Sequence, residues 1–414
     1  MSTSNVPVIR ADKPELNWQG HPHGSASYNR ILIGLAFAGL ATFAGLYAPQ
    51  SVLPLIQRSF DVTAAQSALV ISTSTIAVAV ALLPWSWVAG RIGRLSAMKI
   101  ALIASAALGL AIPFAPTFET LLVLRTLLGL ALGGLPALAL TYLHDEVHHK
   151  FSASAAAAYI AGTTVVGALG RLIAGPVAAY LDWRGGLMVV AILCAISAVV
   201  FLLVIPQARG FTTDQRTTLG DVARGVRTSL SNRVLIALYV QGALLMGSFV
   251  AVYNFFAFRL EAPQFGVPAG LAAFIFGAYF AGTVSSRFAG GMAVRFGQRA
   301  VVLSSCAIMV AGLALTLIPN VIVMIGGLVL FTFGFFGAHS TNSIWVGRHA
   351  PVARAQAISV YNIAVYTGSG VVGWIAGFIW DGYSWLGVCV LVGSLMAISV
   401  AVLLASGKRQ PAQN

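Results

Sequence analysis

The stretch from Ala300 to Gly347 reads AVVLSSCAIMVAGLALTLIPNVIVMIGGLVLFTFGFFGAHSTNSIWVG, without one Asp, Glu, Lys or Arg. A helix rises about 1.5 Å per residue and crosses the ~30 Å hydrocarbon core of a bilayer in about 20 residues. The stretch is too long for one crossing, and Pro319-Asn320 supplies a turn inside it. It reads as two membrane helices back to back. Working outward, the same unit recurs along the chain. Twelve spans are predicted: Ile31–Leu55, Ala65–Val88, Ala97–Phe114, Thr120–Tyr142, Ser154–Tyr180, Gly186–Val204, Val234–Phe258, Leu271–Gly290, Ala300–Leu317, Val321–Trp345, Ala355–Ile379 and Trp385–Leu404.

Composition agrees. Of 414 residues, 58% are hydrophobic and 8% charged, against about 25% charged in soluble domains. The net charge of +13 is dispersed through short loops, with no basic patch of the kind nucleic acid requires. Nineteen of the 24 Lys and Arg lie on the side of the N-terminus; Arg58, Arg184 and Arg259 lie opposite, and Arg125 and Arg171 fall inside spans. The positive-inside rule then places both termini in the cytoplasm. The polar N-terminal segment lacks a short apolar core with a cleavage site, so the first span is expected to serve as the insertion signal. Cys194, Cys306 and Cys389 lie in apolar spans and read as small core residues. No metal-ligand spacing, catalytic triad or phosphate-binding loop is present. The expected protein is therefore not an enzyme and carries no cofactor or metal.

The polar stretch 206–233 divides the chain into an N-terminal tail (1–29), a first bundle (30–205), a cytoplasmic linker (206–233), a second bundle (234–405) and a C-terminal tail (406–414). The halves echo each other. Ala89-Gly90-Arg91-Ile92-Gly93-Arg94 follows span two, and Ala293-Val294-Arg295-Phe296-Gly297-Gln298-Arg299 follows span eight, about 204 residues later. Gly170-Arg171-Leu172-Ile173-Ala174-Gly175 is answered by Gly373-Trp374-Ile375-Ala376-Gly377. Duplication on this scale marks transporter bundles that hold a site between them.

These motifs resemble the major facilitator superfamily. The Ala-x-Arg-x-Gly-x-Arg turn is similar to its signature loop, and Arg125-x-x-x-Gly129-x-x-x-Gly133-Gly134 to its span-four arginine motif. Gly167, Gly170, Gly175 and Pro176 resemble the span-five packing motif of its drug:proton antiporters. The run from Ala41 to Pro54 looks like bacterial inner-membrane exporters of the arabinose-efflux-permease-like group. The resemblance implies an all-α membrane protein of twelve transmembrane helices in two pseudo-symmetric six-helix bundles. It also implies a bacterial cytoplasmic (inner) membrane location and alternating access. Arg91, Gly93, Arg94, Arg295, Gly297 and Arg299 would form a cytoplasmic gate. Gly90 and Val294 stand where the family usually has Asp, and Leu128 where it has Gln. The gate is thus expected to rely on Arg91, Arg94 and other partners.

The residues left inside the membrane bear on function. All 11 acidic residues fall in loops, tails or span ends, so no mid-span carboxylate is available to a proton or a cationic drug. Arg125 and Arg171 stand alone within spans. Each reads either as a coupling switch or anion clamp, or as a tie between helices; Arg171 has a further option of reaching towards Asp182. His339 reads either as a proton carrier or as a packed neutral histidine. The resemblance places spans one, four, seven and ten around a central cavity. Candidate ligand contacts are Tyr47, Gln50, Gln241, Tyr253, Asn254, Phe256, Asn342, Tyr361 and Asn362, an aromatic wall with a few polar groups. The glycines of span five read as a packed hinge. Two functions follow as expectations: proton-coupled export of a small or amphipathic organic molecule, or transport of an organic anion. The partners expected are the small-molecule substrate, protons and the lipid bilayer, with no nucleic acid, and the protein is expected to be a monomer.

Overall fold

The structure is a computed structural model that describes residues 18–210, 219–350 and 354–406. The outer parts of both tails and the middle of the linker lie outside the described residues. Twelve helical crossings make up the chain. In the first half they are α1 Ala26–Phe60, α2 Ala64–Ile92, α3 Arg94–Phe114, α4 (Phe118–Leu132 and Leu135–Glu146), α5 His149–Tyr180 and α6 Trp183–Val204. In the second they are α7 Arg233–Glu261, α8 Ala269–Phe296, α9 Gln298–Leu315, α10 Val321–His349, α11 at 354–383 and α12 at 385–406. A short linker helix, Leu219–Leu230, precedes α7. With twelve crossings the start of α1 and the end of α12 lie at one face, which we term proximal; the opposite face is distal. The architecture is the all-α, two-bundle fold that the sequence predicts.

Local chemistry sets the boundaries. Thr63 and Gln66 form a reciprocal capping box at the start of α2. Asn232 caps α7 and Asn320 caps α10, each accepting from two main-chain N–H groups. The α11–α12 corner is sharp, since Ser384 alone breaks the helix at φ 53°. Not every predicted span is a regular α-helix throughout: α1 tightens over Ala48–Val52, α8 over Ala273–Ala278, and α4 is interrupted at Gly133-Gly134. A methyl on Gly133 would stand 2.5 Å from Ala81 Cβ, and one on Gly134 2.8 Å from the Trp85 ring. The Trp85 indole N–H donates to the Leu130 carbonyl at 2.8 Å. The two glycines and Pro136, which lacks the N–H that would bond the Leu132 carbonyl, loosen the helix where α2 approaches closely.

The repeat is visible in the backbone. Gly93 (φ 87°, ψ 146°) and Gly297 (φ 83°, ψ 153°) adopt the same conformation at equivalent loops. Positive φ is what makes glycine the residue of choice at both. Beside the first loop, the proximal end of α4 is tied down. Arg94 pairs with Asp145, and the buried Glu146 carboxylate accepts main-chain N–H groups of Arg209 and Gly210 at 2.8 Å. Burial raises the Glu146 pKa, while those two N–H groups, Arg209 and Arg94 oppose the shift.

The two bundles meet through small residues in their distal halves. A methyl at Gly175 of α5 would lie 2.1 Å from Ala273 Cβ, and one at Gly377 of α11 would lie 2.3 Å from Ala65 Cα. Around them, the Ala65 N–H donates to Asp381 at 3.1 Å and Arg58 pairs with Glu261 at 2.9 Å. Because the obstacle at Gly377 is backbone, Gly377→Ala is expected to hold the bundles apart distally. With the native cysteines replaced and Ser51→Cys as a reporter at the junction, a water-soluble maleimide should label this variant several-fold faster than its parent. Equal rates would show that the contact does not govern closure.

Candidate transport site at the bundle junction

The site begins with a proline. Pro49 lacks the N–H that would bond the Gly45 carbonyl in a regular helix, and α1 relaxes to a tighter turn over Ala48–Val52. Arg125 repairs the break. Its three guanidinium nitrogens donate to main-chain carbonyls: Nη1 to Gly45 and Nε to Val70, both at 2.9 Å, and Nη2 to Leu46. In this conformation Arg125 ties α4 to α1 and α2, which is the second of the two readings its position allows.

The broken turn presents Tyr47 and Gln50 to the junction, both buried. Gln50 is the centre of a polar chain. Its Oε1 accepts from Arg171 Nε at 2.8 Å, and its Nε2 donates to Asn254 Oδ1 of α7, also at 2.8 Å. Arg171 Nη1 donates to its own helix at Gly167. The rings of Tyr47, Tyr279 and Phe276 surround the guanidinium carbon, with centroids at 4.6, 4.8 and 5.2 Å. Such a cage holds a cation by quadrupole attraction. Arg171 does not reach Asp182, whose carboxylate instead caps α6 at the Gly185 N–H. No described carboxylate is seen to hydrogen-bond the buried guanidinium.

Two buried polar atoms here, Ser72 Oγ and Asn254 Nδ2, lack a hydrogen-bond partner in the protein, while the Tyr47 hydroxyl faces that of Ser369. Asn254 Nδ2 and Ser72 Oγ both lie within 4 Å of the point where a Gly373 methyl would stand. Glycine there leaves the groups uncovered. A lone cation, an amide donor and hydroxyls converge where α1, α2, α5, α7, α8 and α11 meet. Unpaired buried polar groups each cost about 1–3 kcal/mol, so the arrangement is complementary to an acceptor-rich, negatively charged ligand.

The remaining candidates lie elsewhere. Tyr253 backs the cage, stacking on Phe276 at 5.3 Å while its hydroxyl meets Thr332 at 2.7 Å. Phe256 packs edge-on against Trp385 inside the second bundle. His339 sits between Phe335 and Tyr361, whose hydroxyl is 3.1 Å from His339 Nδ1. Gln241 and Asn342 are fully buried with both amide atoms unpartnered, and Asn362 is half-buried beside Tyr361. Gly170 packs on Ala44 of its own bundle, as Gly167 does on Phe43, so only Gly175 of the three makes its near contact with the other bundle. Pro176 lies at the same contact, 3.7 Å from the Gly270 methyl position. The arginines expected at a gate are held locally: Arg91 over Trp87, Arg94 with Asp145, Arg295 over Phe296, and Arg299 on the Leu404 carbonyl. Sequence reasoning did not single out Ser72, Ser369, Phe276 or Tyr279. The run Ser72-Thr73-Ser74-Thr75 inside an apolar span was the one visible signal.

Comparison with known proteins identifies the setting. A family model described as Major Facilitator Superfamily matches residues 35–352. The uncharacterized MFS-type transporter YybF of Bacillus subtilis is 35% identical over 377 residues, covering 91% of this chain and 93% of its own. The inner membrane transport protein YnfM of Escherichia coli is 35% identical over 412 residues, covering 99% and 97%. Among solved structures, a bacterial homolog of the human lysosomal transporter Spinster superposes with TM-score 0.78 at 15% identity, covering 94% of this chain and all of that one. The nucleoside transporter NupG gives 0.71 at 14% identity, covering 92% and 99%.

Proposed function

We propose that this chain, which belongs to the Major Facilitator Superfamily, carries a small organic anion across the bacterial inner membrane by alternating access. That it is a multi-pass membrane transporter and not an enzyme follows from the family and its relatives. The anion reading rests on one observation: Arg171 is buried at the bundle junction in an aromatic cage, its guanidinium held by neutral partners alone, Gln50, the Gly167 carbonyl and the Tyr279 hydroxyl. A carboxylate makes a stronger, charge-assisted bond to that group, and the rings favour an apolar or aromatic body. The moving units are the bundles 30–205 and 234–405, joined by the 206–233 linker, with both termini cytoplasmic and the protein acting as a monomer. In proteoliposomes, saturable counterflow of benzoate but not of methyl benzoate is the expected result. Binding of a lipophilic cation such as tetraphenylphosphonium, without binding of benzoate, would overturn the anion reading.

A second reading, proton-coupled export, is favoured by the Tyr361 hydroxyl aimed at His339 Nδ1. It fits a proton relay in a span without carboxylates. His339→Ala is then expected to abolish the acceleration of transport by a pH gradient while leaving benzoate counterflow in place. Unchanged pH-gradient stimulation would remove His339 from coupling.

A further inference from the structure

We propose that the Gln50 carboxamide oxygen occupies the place on Arg171 that a substrate carboxylate takes, so that loading the site unfastens the two bundles at their distal face. This rests on the reading of Arg171 as the anion's partner and adds to it the means by which occupancy reaches the gate.

The first support is symmetry. Gly93 and Gly297 share one backbone conformation at a separation of 204 residues. Gln50 and Asn254 are separated by the same 204 residues and hydrogen-bond to each other. They are counterparts in the repeat, one from each bundle, so the pseudo-twofold axis passes between them. A contact on that axis, in the half where the bundles touch, must break when they part at that end. Nearer the rim, Arg58 and Glu261 pair at a separation of 203 residues. The Arg58 side chain is 59% exposed there while that of Glu261 is 11% exposed, and an ion pair open to solvent on one side is screened. The fastening lies in the buried amides.

The second support is polarity. A guanidinium only donates, so Arg171 fixes which end of the Gln50 amide is oxygen. The Gln50 NH₂ must then face Asn254, which answers with its own oxygen and turns its NH₂ towards Ser72 and the Gly373 face. Both amide orientations across the junction are thus set by one cation. An incoming carboxylate competes for Arg171 Nε as the better acceptor. Once displaced, Gln50 keeps Asn254 as its side-chain partner, but no cation fixes which end of its amide faces the junction, and the cross-bundle bond loses its set orientation. Asn254 Nδ2 and Ser72 Oγ, both unpartnered, are donors for the ligand's remaining acceptors.

The test uses purified, full-length protein with Ser51→Cys as reporter in a background free of the native cysteines, and benzoate as probe. In the parent, saturating benzoate is expected to speed maleimide labelling of the reporter. Asn254→Ala should be labelled about ten-fold faster than the parent without any ligand, as loss of one buried hydrogen bond implies, and benzoate should add little. Gln50→Leu removes the competitor, so its affinity for benzoate should rise several-fold. Parental labelling of Asn254→Ala, weaker benzoate binding by Gln50→Leu, or a parent that binds benzoate without faster labelling would each overturn the proposal. Failure of the underlying anion reading appears differently, as absence of benzoate binding to the parent or equal binding by Arg171→Gln. The ligand-free labelling of Asn254→Ala still decides whether the amide pair fastens the bundles.

Discussion

Arg125→Ala is expected to yield little folded protein, and what folds should melt far below the parent. The side chain is 1% exposed, and its three nitrogens serve carbonyls on two other helices. Removing it strands the Gly45 and Leu46 carbonyls beside Pro49, which has no N–H of its own to offer. Each stranded group costs about 1–3 kcal/mol, and the emptied volume adds to that. Lysine places one nitrogen where three are used and lacks the planar fork, so Arg125→Lys should rescue only part of the loss. The cause can be isolated with Pro49→Ala, which restores the N–H that bonds the Gly45 carbonyl. In that background Arg125→Ala should cost visibly less. The readouts are the monodisperse fraction on size-exclusion chromatography and the thermal melt. Parental values for Arg125→Ala would mean the three bonds do not hold α1, α2 and α4 together. Full additivity with Pro49→Ala would mean that the proline is not why the arginine is there.

That chemistry bears on how much of the molecule its sequence disclosed. Apolar length and the alternation of basic loops are local properties, so twelve crossings and the Pro319-Asn320 turn could be read residue by residue. The duplicated loop was legible for a related reason: Gly93 and Gly297 are demanded by backbone angles that few other residues adopt. What escaped reading depends on neighbours distant in sequence. How closely Ala81 and Trp85 of another helix approach Gly133-Gly134 is one such feature, whereas the break of α4 there had a local signal in the two glycines and Pro136. The contact partners of the span-five glycines likewise could not be read: Gly175 meets the other bundle, whereas Gly167 and Gly170 face their own.

The site divides in the same way. Charge in an apolar span is conspicuous, so Arg125 and Arg171 were evident as residues that must have partners. Their partners were not. Arg125 could be read as a tie or a switch because nothing local says that Pro49 leaves a carbonyl for it. Gln50 and Asn254 were visible as polar residues in spans one and seven, yet their bond needs the 204-residue repeat to be superposed in space. Ser72 shows in sequence only as part of a hydroxyl run and Gly373 only as part of the repeat; they matter because α2 and α11 press together at that level. Type and depth of a side chain are thus readable, while convergence is a property of the fold.

The two intramembrane arginines should therefore respond to substitution with opposite signs in stability, and that contrast is the sharpest test of their roles. Arg171→Gln is expected to lower benzoate affinity by about 100-fold or more, as loss of a charge-assisted bond and its partner's desolvation would give. Yet the protein should fold, and melt at or above the parental temperature without ligand. A buried cation held by neutral groups carries a desolvation penalty that its hydrogen bonds do not fully repay. Glutamine removes that penalty and can still hydrogen-bond within the same polar chain. Lysine keeps the charge but not the planar fork, so Arg171→Lys should bind benzoate more weakly than the parent and more tightly than Arg171→Gln. Ligand-free melting temperature and benzoate-induced stabilisation, measured on the same samples, separate the two quantities. If Arg171→Gln loses stability as Arg125→Ala does, Arg171 is a helix tie, and the junction's positive charge is not there for a substrate. If stability is kept and benzoate still binds, the anion enters elsewhere. Loss of binding with stability intact or raised is the outcome that a buried, pre-placed cation at a transport site requires.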